Sequence, residues 1–402
     1  KRVAYGGQKG GKWTIIVDGK AVDGEGDETP AVAAVFSGDS AHVGTVLRKD
    51  YKWYVTVDGK TWPVIEGTGA GMLTFSPEGK HAAAVARVKA GPAWVLFVDG
   101  KAAAVPSGGK GLDRFAAYAW RPDGGAVAYQ AGFGGPPRKG WQVFTTEGWS
   151  SGEYEGLMKG APVWSADGKR VVFGAMRKDK AMTNWLVVTK EGASGALEQV
   201  RPETVGFLET EAGGKVIYVG QVGKEWRVFV ENAAVAGVGG FEGIVGGSFV
   251  MSRDGKHYAF AGARGGKTVV VRDGEEVATV DEAGAGTFGF SEDGEHLGFA
   301  GRLGTGAEAW HVVVDEKMGA GYAGIGPTAV AFSPEGRRAA TTVMVAGAGG
   351  RGQWKLVAGE YASKGYDAML KGGKVVWRDE GHVVTVAIQK TVALRVEGKV
   401  GE

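Results

Sequence analysis

The sequence predicts an all-β chain folded as a single closed β-propeller of four-stranded antiparallel blades, about ten pseudo-repeats (eight to ten blades) over residues 1–402. Three observations predict it. A phrase made of an apolar strand ending in an aromatic, an acidic-Gly turn and a second apolar strand returns about every 39 to 45 residues. Within each unit the apolar positions alternate, as in Trp53, Val55 and Val57, which is the period of a half-buried strand. Pro, Gly and Asp-Gly punctuate the chain every 8 to 12 residues or so, and no window of that length carries a helical stripe.

The elements follow in order. The turn phrase reads FSGDS from Phe36, FSPEGK from Phe75, WRPDG from Trp120 and WSADGK from Trp164. It returns as MSRDGK from Met251, FSEDGE from Phe290, FSPEGR from Phe332 and WRDEG from Trp377, with a degraded copy, LETEAGGK, from Leu208. A second phrase reads KWTIIVDGK at Lys12, KWYVTVDGK at Lys52 and AWVLFVDGK at Ala93, and ends with TVALRVEGK from Thr391. Its Asp-Gly pairs suit two-residue hairpins, because such turns need positive φ. Lettered from the inside, the strands of a unit are a (ending in the aromatic), b, c (Trp-led) and d. KRVAY at the start aligns with the b strand KRVVF at Lys169. The first repeat therefore lacks its innermost strand, which whatever precedes Lys1 is expected to supply, and the last repeat is nearly truncated.

These turns and the WxVxVDGK phrase make the chain resemble the TolB-like (WD-repeat-like) bacterial β-propeller repeat family over essentially its whole length. The resemblance implies a periplasmic, secreted or extracellular propeller that holds protein partners or serves as a rigid scaffold. The separate N-terminal domain of TolB itself has no counterpart, so its particular role does not carry over.

Composition narrows the function classes. Hydrophobic residues make up 44% and charged residues 23%, enough to bury a sizeable core. The longest apolar runs are about six residues, which argues against membrane insertion by a helix of roughly 20. A net charge of +2 argues against a nucleic-acid binder driven by bulk charge. With no Cys, disulfides and thiolate chemistry are excluded. The 73 Gly residues are expected to let crowded inner strands approach while the terminal aromatics wedge between blades.

Motifs of catalysis do not survive their context. Two GxGxxG matches, at Gly319 and Gly347, are the number that chance gives in so Gly-rich a chain, and neither opens a helix. AGARGGKT from Ala261 lacks the leading Gly and the helix N-terminus of a phosphate loop. Gly148–Gly152 has nucleophile-elbow spacing without strand–turn–helix surroundings. His42, His81, His257, His296 and His382 share one repeat position with Arg170 and Arg338, so they are expected to cap a carboxylate rather than to ligate metal. No cofactor is expected. The one oxygen-rich candidate for calcium is the loop cluster Asp23, Glu25, Asp27 and Glu28, although the EF-hand pattern fails there.

Charge placement carries the functional reading. The b–c loops hold Lys9, Lys12, Arg48, Lys49, Lys52, Arg87, Lys89, Arg138, Lys139, Arg177, Lys178, Lys180, Lys224, Arg264, Lys267, Arg302, Arg351 and Lys390. Against them stand only Asp50, Asp179, Glu225 and Glu308, although the d–a loops on the same face lean acidic. In a propeller all these loops share one face. The first reading is therefore a non-catalytic scaffold that binds a protein or an anionic polymer through this basic face, at the cell envelope or outside the cell. A second is a propeller enzyme (glycan lyase, hydrolase or lactonase type) acting at the central channel. The inner strands disfavour it, being Gly, Ala, Val and Phe with Asp113 and Arg114 the main polar exceptions. A third is self-assembly, as the structural subunit of an extracellular array.

Overall fold

The computed structural model describes residues 2–29, 34–62, 73–88, 93–103, 112–132, 140–179, 182–326, 328–347 and 352–400. The described chain is all-β apart from one 3-10 turn at Pro202–Thr204. Its strands make ten antiparallel sheets, numbered here one to ten in chain order, mostly of three to five strands. Contacts divide the chain into two compact units, Lys1–Ala196 with sheets one to five and Leu197–Glu402 with sheets six to ten.

Each sheet is a meander, its long strands paired antiparallel in chain order, and many of the described links are tight turns. The Asp-Gly pairs adopt positive φ at both turn residues: Asp18 and Gly19 at 51° and 81°, Asp58 and Gly59 at 49° and 75°, Asp99 and Gly100 at 49° and 75°. This is the two-residue hairpin the sequence predicts. The inner strand departs from the simple pattern. In the seventh sheet it is two short pieces, Gly243–Ile244 and Val250–Met251, which both pair with the central strand Tyr258–Arg264. The same split recurs in the fifth, sixth, eighth, ninth and tenth sheets. The first sheet has no inner strand among the described residues, so Ala4–Lys9 pairs on one side only.

The core lies between consecutive sheets. Alternate residues of one central strand serve two cores: Ala82, Ala84 and Ala86 join Val46, Trp53 and Val55 of the second sheet, whereas Ala83 and Val85 join Tyr118, Val127 and Tyr129 of the fourth. Both faces of such a sheet are buried, so its central strand reads as an unbroken apolar run. Glycines permit the approach: a Cβ on Gly298 would stand 2.5 Å from the Val330 side chain, and one on Gly44 would stand 2.7 Å from that of Leu73.

The shared His position is a latch between neighbours. Nδ1 of His42, His81, His257 and His296 lies 2.6 to 2.7 Å from Asp58, Asp99, Asp273 and Asp315 in its own sheet. Each of those rings also lies against the terminal aromatic of the next sheet, Phe75, Trp120, Phe290 and Phe332, with centroids 6.2 to 6.4 Å apart. The aromatics thus sit between sheets, and Trp164 and Trp377 donate their indole N–H back to carbonyls of the preceding sheet.

Candidate interaction surface

The b–c hairpins of the second unit carry basic residues the sequence singles out; acids meet three of them, whereas Lys224 and Lys390 are exposed and make no ion pair among the described residues. Arg264 makes two bonds to Glu276, of 2.7 and 2.5 Å, and Lys267 pairs with Asp281. Arg302 reaches Glu282 at 3.0 Å. The Glu276 hydrogen bond raises the Arg264 pKa, and the reciprocal bond holds Glu276 below the usual carboxylate range. Asp281 is lowered by the Lys267 ammonium and by the N–H of Gly304.

The first unit holds paired and unpaired cations alike. In its first two sheets Lys12 pairs with Asp27 at 2.6 Å and Arg48 pairs with Glu28. Asp27 also accepts the backbone N–H of Asp50 at 2.9 Å, and both bonds lower its pKa. Two of the four carboxylates proposed for calcium are therefore engaged by cations. Glu25 lies in strand Lys20–Gly26, exposed, and the Asp23 side chain lies outside the described residues. Among the described residues no group of three or more candidate metal ligands is found.

Lys49 and Lys52 close the second sheet's b–c hairpin, and Arg177 and Lys178 lie near the outer end of the fifth sheet's central strand. All four are exposed and make no ion pair among the described residues. The Arg87 side chain and Lys89, Arg138, Lys139, Lys180 and Arg351 lie outside them. The halves accordingly differ in charge. Residues 1–196 hold 25 Lys and Arg against 19 Asp and Glu, an excess of six positive charges; residues 197–402 hold 22 against 26, an excess of four negative ones. The overall +2 conceals this polarity.

Sequence reasoning passed over Tyr51. It stands at the tip of the hairpin between Lys49 and Lys52, 85% exposed, with φ at 63°. The Arg48 guanidinium lies 5.7 Å from its ring centroid. Two sister hairpins use Gly10-Gly11 and Gly265-Gly266 at the same tip, and two others use Gly223-Lys224 and Lys390-Thr391. An aromatic where the other two-residue tips hold Gly, Lys or Thr was the available signal.

The fold and this edge define an all-β protein of repeated antiparallel sheets with a basic hairpin edge in its first half. No family model matches the chain, and no curated protein matches it. Among solved structures it is similar to one described as the eukaryotic initiation factor, at 13% identity and TM-score 0.45, covering 91% of this chain and 96% of that one. It is also similar to prolyl oligopeptidase B from Galerina marginata, at 11% identity and TM-score 0.35, covering 81% of this chain and 55% of that one. A third is the Kuenenia stuttgartiensis hydrazine synthase, at 14% identity and TM-score 0.30, covering 83% and 87%.

Proposed function

We propose that the ten sheets are blades of one closed β-propeller and that the protein is a non-catalytic scaffold, at the cell envelope or outside the cell, that binds an acidic protein or anionic polymer on the basic edge of its first unit. The carrying observation is the contrast in pairing. Lys49, Lys52, Arg177 and Lys178 project without an acid, whereas Arg264, Lys267 and Arg302 are neutralised by neighbours. An exposed ion pair adds little stability, about 0 to 1 kcal/mol, yet it cancels the local field. Unpaired cations keep theirs over a Debye length of about 8 Å at physiological salt.

The test is binding of poly-L-glutamate to the full chain by fluorescence anisotropy, at low and physiological salt. Replacing Lys49, Lys52, Arg177 and Lys178 together by Glu should weaken binding more than about tenfold, and raised salt should do the same in the native chain. Replacing Arg264, Lys267 and Arg302 by Gln should change it little. Equal loss from both sets would remove the assignment to the first unit. Unchanged binding in the first set would remove the surface itself.

A further inference from the structure

The repeat makes one residue conspicuous. Counting along each central strand from the residue that meets the terminal aromatic (Met251 in the seventh sheet), the fourth position is Val46, Val85, Gln130, Gly174, Val219, Ala261, Ala300, Thr342 and Val386. Eight of the nine are small or β-branched. Gln130 is a long amide, and it is 2% exposed.

The backbone opposite it is also unusual. At Val219, Ala261 and Ala300 the N–H takes a hydrogen bond to a Thr or Ser hydroxyl from the gap in the split inner strand: Thr204, Ser248 and Thr287, at 2.8 to 3.0 Å. The fourth sheet, like the fifth and tenth, has no such plug among the described residues, but it alone fills the position with a long side chain. Its inner strand, Arg114–Trp120, runs on unbroken and bulges between Phe115 and Tyr118, so Ala116 and Ala117 have no register partner on the central strand. Bulges of this kind re-aim groups toward a site.

These departures meet in one place. Ala116, Ala117 and Gln130 line a cleft of about 300 Å³, closed on other sides by Trp141, Met158 and Lys159. The only side-chain hydrogen bond of Gln130 among the described residues is from Nε2 to the Met158 carbonyl at 3.5 Å, the outer limit of such a bond. A buried carboxamide so weakly paired costs free energy unless something else engages it. Trp141 supplies an aromatic wall, with the Arg114 guanidinium 4.7 Å from its ring centroid. Lys159 is exposed at the rim and makes no ion pair among the described residues.

The geometry points to a binding site for the C-terminal end of a short peptide. An extended residue presents its N–H and C=O on one side, so Gln130 can donate from Nε2 to that carbonyl and accept that N–H at Oε1. The penultimate residue of the ligand takes this pairing. Its last side chain, apolar, packs on Trp141 and Met158, and its carboxylate is met by Lys159. The volume is at the small end of ligand clefts, about 300 to 1,000 Å³, and suits a dipeptide-sized contact. The site stands independently of the basic edge.

The experiment is calorimetric titration of the full chain with N-acetyl-alanyl-leucine, N-acetyl-alanyl-valine and N-acetyl-alanyl-phenylalanine, each as free acid and as C-terminal amide. One-to-one binding of at least one acid is expected. Gln130→Ala should weaken it about tenfold or more, since losing an amide pair costs about 1 to 3 kcal/mol. Any fall in the melting temperature should be small, because Gln130 gives up only one long hydrogen bond. Lys159→Gln should weaken the acid and spare the amide. No saturable binding of any of the peptides up to about 10 mM, a ceiling that corresponds to roughly 3 kcal/mol, overturns the proposal. So does an unchanged affinity in Gln130→Ala, or a lowered melting temperature as that variant's sole effect.

Discussion

Two buried tyrosines of the same core should respond to loss of their hydroxyls with opposite signs. Tyr129 is fully buried between Phe115 and Phe144, with ring centroids 5.9 and 5.3 Å away, and its hydroxyl has no hydrogen-bond partner among the described residues. Tyr118 is as deeply packed, but its hydroxyl bonds to Thr74 Oγ1 at 2.9 Å and donates to the Ala83 carbonyl at 3.0 Å. An unpaired buried hydroxyl costs about 1 to 3 kcal/mol, and a made bond contributes about 1 kcal/mol. Tyr129→Phe keeps the ring stack and removes only the penalty, so it should stabilise by about 1 kcal/mol. Tyr118→Phe should destabilise by about 1 kcal/mol, because the Ala83 carbonyl loses its donor while exposed Thr74 keeps the Trp120 indole N–H. With a urea m-value of roughly 2 kcal/mol/M, the fluorescence midpoints should move about 0.5 M apart from the native one in opposite directions. If Tyr129→Phe lowers the midpoint as Tyr118→Phe does, the Tyr129 hydroxyl is paired and the reasoning fails.

Alkaline titration gives an independent view of the same cores. Burial pushes Tyr118, Tyr129 and Tyr258 up to about 12 from 10.0, so the neutral form is favoured in the fold. That contribution is whole below pH 10 and is lost as pH rises toward 12. Circular dichroism against pH should show the loss in that window, shallower for Tyr129→Phe. In acid the sign reverses. Asp39, Asp167, Asp254 and Asp293 are held below 3.8, first by the Ser hydroxyl two residues before each and then by backbone N–H groups. Stability from them is present above 3.8 and falls as pH drops through the lowered values; a midpoint still constant at pH 2 would contradict it. Ser165 is fully buried, donating to Asp167 at 2.6 Å and accepting the Arg170 N–H at 3.0 Å. Ser165→Ala should therefore cost about 1 to 3 kcal/mol in urea unfolding, and a change below about 0.5 would show the turn tolerates its loss.

Turn chemistry was the most legible layer of the sequence. Asp58-Gly59 specifies its hairpin because Gly takes positive φ without strain and Asp tolerates it. The His position was legible as a carboxylate cap, since only a role without coordination geometry accepts Arg in its place. The ring stacking of that His on the next sheet was not, because contacts between repeats leave no periodic mark within one repeat. The split inner strands were hidden for a related reason. Two-residue strands such as Gly289–Phe290 carry no alternation, and their boundary is set by the Thr287 hydroxyl reaching Ala300 from outside the ladder. For the basic edge, residue types were legible and pairing was not. Glu276 and Asp281 lie 12 and 14 residues from the Arg264 and Lys267 they neutralise, and only the register between strands brings them together.

A repeat protein supplies its own controls, because equivalent positions share a backbone task and differ only where something besides folding acts on them. Gly-Gly at residues 10–11 and 265–266 meets the positive φ of the hairpin tip without a side chain. Asp50-Tyr51 meets the same geometry with two side chains in the left-handed region, which for an L-residue costs on the order of 1 kcal/mol each. The Tyr51 ring is 85% exposed, so burial does not offset that cost. An exposed aromatic ring between two unpaired lysines is instead suited to a surface that must be touched, since Tyr brings contact area with little side-chain entropy to lose. The same comparison isolates Gln130 inside the core. Both residues break the repeat in the first unit, the half with an excess of six positive charges.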